Sequence, residues 1–508
     1  MSAFAETREV IMAQGGTGGG KLPLVLFIAA IAGVGMWMAS TTGGRPAGTP
    51  EGAPAVGAPL PPPAGDELRL VFTYGSEKET WIAQATALFN QQHVRQAGKT
   101  ISVEAMPMGS GDCMDEILAG RRKPHLISPA SAAFIKMGNA RARSAEGRDL
   151  VPATDNLVLS PVVIAMWKPM AEALGWGKRP LGWADVLAVA TQPRGWAAYE
   201  QPQWGPFRFG HTHPDFSNSG LTSIFAEVYA GAGKVGGLTL GDLAQPAVAD
   251  QVRAIERAVV HYGSSTGFFA KKLLANGPDY LSAAVLYENN VIESYQAATP
   301  SSYPPLVALY PKEGTFWSDH PAGIVDRDWV TLAHRQAARA YLDFLLAKPQ
   351  QEAALRLGFR PSAVEVAVGS PLDTAHGVDP QEPKTTLEVP SVEVMDGILR
   401  LWRANKKHAH VVLVMDVSGS MNEDGKLGSA RLGAAQLVAK LDDGDGFSLL
   451  AFSDHMQWLS RGLVLDQAGR ATAQRQVEGL IATGGTALYD AIDAAYTALA
   501  AVAKADQI

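Results

Sequence analysis

The sequence predicts an α/β protein in which two folded domains follow an apolar segment near the amino terminus. Short apolar runs alternate with helix-like segments from residue 67 onward, a pattern typical of sheets covered by helices. Near the carboxyl terminus, the apolar run 411–415 leads straight into Asp416 and predicts a strand buried on both faces. Two stretches predict linkers between the parts: residues 41–66 are rich in proline and glycine, and residues 373–390 are polar and rich in proline.

Composition restricts the function classes. The 508 residues are 47% hydrophobic and 18% charged, which indicates a folded chain. The net charge is −7 without a long basic run, so we expect no nucleic-acid partner. The single cysteine, Cys113, excludes an intramolecular disulfide and any multi-cysteine metal site.

Residues 22–40 are apolar and carry no charge. A helix of this length spans a hydrocarbon core of about 30 Å, so we predict a single-pass transmembrane signal anchor. Residues 1–21 would then be a short cytoplasmic segment, residues 41–66 a linker, and the main domains extracytoplasmic. A cleaved signal peptide is the alternative.

Serines follow several predicted strands of the middle domain, residues 67–372. Ser76, Ser131, Ser217 and Ser219 each stand where a strand gives way to a helix, and Glu288 ends another apolar run. Hydroxyls and free N–H groups at helix starts suit a polar ligand. Each serine alone is better explained as a helix N-cap, and it is the recurrence at successive strand ends that indicates a ligand site. His211 and His213 share one side of an extended segment, which we interpret as turn residues because no third metal ligand is evident.

The middle domain resembles bacterial extracellular solute-binding proteins of the type II periplasmic fold. The resemblance rests on segments 76–81 (SEKETW), 213–220 (HPDFSNSG), 310–317 (YPKEGTFW), 337–351 (AARAYLDFLLAKPQQ) and 358–361 (GFRP). It implies two lobes that close on a small polar ligand, with the cleft lined by Ser76, Ser131, Ser217, Ser219 and Glu288. No common hydrolase, metalloprotease or phosphate-loop motif is present, so we expect no enzymatic activity.

The loop after residue 415 carries Asp416, Ser418 and Ser420. Hard oxygen donors at the carboxyl end of a buried strand suit Mg²⁺ or Mn²⁺. With the later run 484–491 (GGTALYDA), this motif strongly resembles a von Willebrand factor type A domain, which implies a doubly wound fold over residues 391–508. By motif, Asp416, Ser418, Ser420 and Thr486 would hold Mg²⁺, and an acidic group from a protein partner would complete the coordination. A surface turn without metal is the alternative.

The type A resemblance covers roughly the first half of that fold. The family has a further aspartate in a loop beyond the next core strand, so we expect an incomplete domain with weak Mg²⁺ affinity. Together the resemblances imply a membrane-anchored binding and adhesion protein. The alternative is the solute-capture component of an ABC-type transporter with an accessory type A domain. A chelatase-like partner role is a weaker third possibility.

Overall fold

The computed structural model describes residues 65–296 and 302–502, together with the backbone of Leu26–Ile28. The chain divides into two compact units, an N-terminal unit within Gly52–Lys406 and a C-terminal unit that contains the described residues from Lys407 onward and the strand Leu26–Ile28. The predicted segments 1–21 and 41–64 lie outside the described residues, as does most of the predicted span 22–40. Among the described helices, none combines the length and apolar composition that crossing a membrane requires.

The first lobe of the N-terminal unit is built on a six-stranded sheet. Its three central strands, Lys99–Met108, Glu67–Gly75 and Leu126–Ser128, run parallel. A buried core joins this sheet to the helix Leu332–Leu346, whose predicted apolar stripe packs on it. The other strands are Arg95–Gln96, Pro321–Ile324 and Asp155–Asn156, and the other helices are Glu79–Gln91, Ser110–Leu118, Ala132–Glu146 and Lys348–Arg356.

The second lobe contains a seven-stranded sheet around the long strand Val158–Trp167. The chain leaves the first lobe before this strand and returns at Pro321–Ile324, so two lobes are connected by crossing segments. The predicted two-lobed architecture is thus confirmed. The remaining strands are Ala283–Tyr287, Phe209–Thr212, Val259–Gly263, Leu306–Leu309, Trp317–Ser318 and Arg360–Pro361, and the helices are Lys168–Leu174, Trp183–Ala190, Asn218–Ala232, Leu240–Leu243, Pro246–Glu256, Thr266–Asn276 and Glu288–Gln296.

The helix Val392–Asn405 belongs to the N-terminal unit. Ser391 caps it by accepting the Val394 N–H. Its apolar face, including the fully buried Trp402, packs on helices of the second lobe. The domain boundary that the sequence placed at Ser391 therefore differs from the structural boundary at Lys407. The amphipathic pattern indicates one buried face but does not specify which domain covers it.

The C-terminal unit is centred on the strand His410–Asp416. Its side chains alternate between two cores, as a strand buried on both faces requires. Helices Lys426–Lys440 and Gln467–Glu478 cover one face and Leu488–Ala500 covers the other. The sheet order is Leu26–Ile28, His410–Asp416, Gly446–Phe452 and the antiparallel edge strand Met456–Val464. Leu26–Ile28 lies within the predicted span 22–40, so these three residues form a strand where a helix was predicted.

Candidate functional site

Ser76 joins the two lobes of the N-terminal unit. It follows the strand Glu67–Gly75, and its hydroxyl donates to Ser265 Oγ at 2.7 Å. The Gly267 N–H donates back to Ser76 Oγ at 2.9 Å. Because Ser265 and Gly267 stand at the start of a second-lobe helix, the first lobe is hydrogen-bonded to the second at this point. We call this region, together with Thr212, Ser217, Ser219 and Thr266, the inter-lobe seam.

Ser217 and Ser219 lie on the second-lobe side of the same seam. Ser217 Oγ is 3.1 Å from Thr266 Oγ1, which donates to Ser219 Oγ at 3.1 Å. Thr212 Oγ1 is 2.8 Å from Ser219 Oγ. These buried hydroxyls form a chain, so the structure brings together three of the four serines that the sequence singled out.

Ser131 and Glu288 form hydrogen bonds and ion pairs outside this chain of hydroxyls. Ser131 caps the helix Ala132–Glu146 by accepting the Ala133 N–H at 3.1 Å, the alternative interpretation given above. Glu288 forms a two-pronged ion pair with Arg360, at 2.8 and 2.7 Å, and accepts the Tyr310 hydroxyl. A buried carboxylate requires such partners. Their role as ligand contacts stays a prediction.

A buried charged cluster that was not predicted lies beside Ser76. Lys78 Nζ lies 2.6 Å from Glu77 Oε1 and 3.1 Å from His320 Nδ1, and all three side chains are almost fully buried. His320 stands in the segment that crosses from the second lobe back to the first. Its backbone φ is +40°, in the region that favours glycine. Such strain at a non-glycine residue is concentrated at functional sites.

The C-terminal unit brings its two predicted loops together. The Ser418 N–H donates to Asp416 Oδ1 at 2.7 Å, and the Ser418 and Ser420 hydroxyl oxygens are 3.1 Å apart. The Gly419 N–H donates to the Gly484 carbonyl at 2.9 Å. Thr486 follows in that second loop and is exposed. The loops therefore meet at the carboxyl end of the central strand.

Comparison with known families separates the chain into the same two parts. A family model described as bacterial extracellular solute-binding protein matches residues 70–360, more than half of the chain. The chain belongs to this family. A model of the von Willebrand factor type A domain matches residues 411–507, so both predicted resemblances are confirmed. We refer to residues 65–406 as the solute-binding domain and to residues 407–502 as the type A domain.

Several solved structures are similar to the chain. The periplasmic binding protein AfuA from Actinobacillus pleuropneumoniae is 15% identical, with a TM-score of 0.45 over 66% of this chain and 97% of that one. The sulfate-binding protein SubI from Mycobacterium tuberculosis is 19% identical, with a TM-score of 0.41 and coverages of 62% and 92%. A periplasmic thiamin binding protein is 13% identical, with a TM-score of 0.47 and coverages of 68% and 99%. No curated protein matches the sequence.

The charged cluster of the solute-binding domain has shifted ionisation equilibria. Burial alone would raise the pKa of Glu77, but the Lys78 ammonium and His320 hold that pKa at about 2. Burial lowers the pKa of Lys78, against the opposing effect of Glu77. Burial, followed by the Lys78 charge, lowers the pKa of His320 to about 4. At neutral pH, a neutral imidazole therefore lies beside an ionised carboxylate, which Lys78 Nζ contacts at 2.6 Å.

Two asparagines complete the seam of the solute-binding domain. Asn218 Nδ2 donates to Tyr287 Oη at 2.9 Å and to Ser318 Oγ at 3.0 Å, and Asn289 Nδ2 donates to the Glu77 carbonyl at 3.3 Å. In the described part of the chain, Asn218 Oδ1, Asn289 Oδ1 and His320 Nε2 are buried without a protein partner. Asn218 lies inside the predicted run 217–219, which was a usable signal. His320 had none, because its partner Lys78 is 242 positions away.

The oxygen atoms of the type A loops fit a small hard cation. Bonds of about 2.1 Å at right angles place neighbouring Mg²⁺ ligands roughly 3.0 Å apart, close to the Ser418–Ser420 oxygen separation. Asp454 adds a carboxylate at the same edge, against Gly484 and Gly485. Asp454 is not among the residues predicted to hold the ion. Its neighbours Ser453 and His455 both contact the carboxylate at 3.0 Å.

Proposed function

We propose that the chain is a membrane-anchored, extracytoplasmic binding protein with two recognition sites. The solute-binding domain closes on a small polar ligand at the inter-lobe seam, and the type A domain engages a protein partner through Mg²⁺ or Mn²⁺. A role in binding without catalysis is part of the proposal. Membership of the solute-binding family supports the extracytoplasmic placement, and the apolar segment 22–40 supports the anchor.

One observation carries the ligand-binding part. Buried polar atoms in folded proteins are nearly always hydrogen-bonded, yet Asn218, Asn289 and His320 each keep an unpartnered atom at the seam. Together they offer two amide oxygens as acceptors and one ring nitrogen. A bound polar molecule satisfies such groups better than apolar packing does.

The test is a calorimetric titration with the ligand that mass spectrometry identifies in heat-released material from the purified full-length protein. Asn218→Ala removes one acceptor and should weaken affinity about tenfold, the effect of one hydrogen bond. Asn276→Ala, at an exposed helix end, should bind as the wild type does. Thermal melting checks that both variants fold. Equal affinity of Asn218→Ala and wild type would show that the seam is not the ligand site.

The type A part rests on the meeting of the two loops. Asp416, Ser418, Ser420 and Thr486 would hold the cation, directly or through water. The bound ion would supply a Lewis-acid centre that accepts a carboxylate from the partner. The chain positions these oxygens through the hydrogen bond from Gly419 to Gly484.

Magnesium-dependent binding of a protein partner tests this part. Proteins captured from the extracytoplasmic fraction by full-length wild type in Mg²⁺ should be released by a chelator and absent with Asp416→Ala. Asp493→Ala, an exposed carboxylate of the same domain, is the matched control and should retain them. If Asp416→Ala captures the same proteins as wild type, the metal-dependent interaction is refuted.

A second candidate function is solute capture for an ABC-type transporter, which the family match favours. The two candidates separate in an uptake assay with the identified ligand. Loss of uptake on deletion, rescued equally by wild type and Asp416→Ala, supports transport with an accessory type A domain. Unchanged uptake on deletion supports the binding and adhesion role.

A further inference from the structure

A second polar cluster lies inside the second lobe, away from the roles assigned above. It combines His211 of the strand Phe209–Thr212, Glu227 of the helix Asn218–Ala232 and Glu256 at the end of the helix Pro246–Glu256. All three side chains are fully buried. One ligand atom from each residue lies within 4.8 Å of the other two.

The hydrogen bonds of His211 determine which ring nitrogen carries its proton. His211 Nδ1 is 2.7 Å from the Thr212 carbonyl oxygen. A carbonyl only accepts, so Nδ1 must donate to it, which leaves Nε2 as the ring atom that faces the two carboxylates. Nε2 lies 3.0 Å from Glu256 Oε1. Metal-binding histidines are oriented in this way, with the second ring nitrogen bonded to a carbonyl or carboxylate.

Each of the two carboxylates accepts a hydrogen bond from a hydroxyl group. Tyr262 donates to Glu256 Oε2 at 2.5 Å, and Ser223 donates to Glu227 Oε1 at 2.9 Å. Glu227 Oε2 is buried without a protein partner in the described part of the chain. Each carboxylate thus has one oxygen fixed by a hydroxyl and another oxygen available to the cluster.

We propose that His211, Glu227 and Glu256 form a binding site for one divalent transition-metal ion of the Zn²⁺ class. One imidazole with two carboxylates is a nitrogen–oxygen set that suits Zn²⁺. The ion would neutralise two carboxylates that the fold buries side by side. Bonds of about 2.1 Å in tetrahedral geometry place ligand atoms roughly 3.4 Å apart, so closure onto the ion brings the most separated ligand atoms together by up to about 1.4 Å.

An ion bound at this site would stabilise the second-lobe side of the inter-lobe seam. Its three ligands join one strand to two helices of the second lobe. The residue after His211 is Thr212, whose hydroxyl contacts Ser219 and accepts the Gly220 N–H at 2.8 Å. A bound ion therefore fixes the start of the helix that carries Asn218.

The test uses untagged full-length protein, stripped with a chelator and dialysed against Zn²⁺. Elemental analysis should find one tightly held zinc per chain in both wild type and Asp416→Ala, which separates this site from the type A loops. Glu227→Gln should lower zinc affinity by at least ~100-fold, because loss of a ligand exceeds the ~10–100-fold effect of losing an outer partner. Glu393→Gln, an exposed residue of the same domain, should bind zinc normally.

Cobalt substitution provides a readout that does not depend on the variants folding. Co²⁺ in the wild type should give visible absorption bands of a low-symmetry site with nitrogen and oxygen ligands, and one equivalent of Zn²⁺ should abolish them. Absence of a tight equivalent in wild type, or undiminished binding in folded Glu227→Gln, would overturn the proposal. In that case the cluster is a metal-free set of hydrogen-bonded side chains.

Discussion

Replacing Lys78 with methionine should destabilise the solute-binding domain by about 3–5 kcal/mol, the usual cost of breaking a buried ion pair. The fully buried ammonium is 2.6 Å from Glu77 Oε1. The gap between the pKa of about 2 for Glu77 and its ordinary 4.5 corresponds to roughly 3 kcal/mol. Lys78 is the strongest of the groups that lower this pKa. Methionine keeps most of the lysine volume, so the loss of stability measures the broken ion pair and not the effect of a cavity.

Urea unfolding followed by tryptophan fluorescence measures this loss. All but two of the eleven tryptophans lie in the solute-binding domain, so the signal reports mainly on it. Lys136→Met, at an exposed helix position, should change the free energy of unfolding by under about 0.5 kcal/mol. The double variant Lys78→Met with Glu77→Gln should be more stable than the sum of the single losses predicts. A Lys78→Met loss below about 1 kcal/mol, or strict additivity, would refute the buried-pair reasoning.

Three further outcomes follow from the structure. His320 has a pKa of about 4 in the folded protein and about 6.5 in the unfolded chain. Its contribution to the free energy of unfolding, up to about 3 kcal/mol, is therefore complete above pH 6.5 and is lost as the pH falls toward 4. In urea titrations, His320→Gln should lose less stability over this pH interval than the wild type does. Trp402→Ala should lower the stability of the solute-binding domain by about 3–5 kcal/mol, measured by the same fluorescence transition, whereas a change confined to the type A domain would contradict the observed packing. Gly484→Ala should destabilise the type A domain by more than about 1 kcal/mol in circular dichroism melts. The reason is that Gly484 has a φ of +82° and that the added Cβ atom would collide with Asp454. The control Gly428→Ala, where an added Cβ atom meets open space, should be neutral or stabilising.

The regular elements were largely predictable because they depend on local periodicity. The apolar run 447–452 lies in the strand Gly446–Phe452, and the amphipathic pattern at about 335–347 lies largely in the helix Leu332–Leu346. The helix was extended at its start because Thr331 forms a capping box with His334, a pattern that departs from the usual acidic partner. Periodicity did not reveal the partner of the helix Val392–Asn405, since many apolar surfaces can cover the same stripe.

The type A loops were predictable as a pair because both carry short motifs next to strand or helix ends. The Gly419–Gly484 hydrogen bond shows that they meet. Asp454 was not predicted as a ligand, because a single acidic residue after a strand carries no spacing signal. Its position against Gly484 depends on the parallel pairing of His410–Asp416 with Gly446–Phe452, which brings two strand ends to one edge.

At the seam, the difference between Glu288 and Asn218 explains why residue type alone is a poor guide to a ligand site. Both are buried polar residues at the start of a helix, and the sequence favoured Glu288. The fold supplies Glu288 with Arg360 from 72 positions away, and this pairing satisfies its charge. Asn218 uses its amide nitrogen internally and keeps its oxygen unpartnered. Because a polar group that is already paired gains little from a ligand, the ligand should interact more strongly with Asn218 than with Glu288.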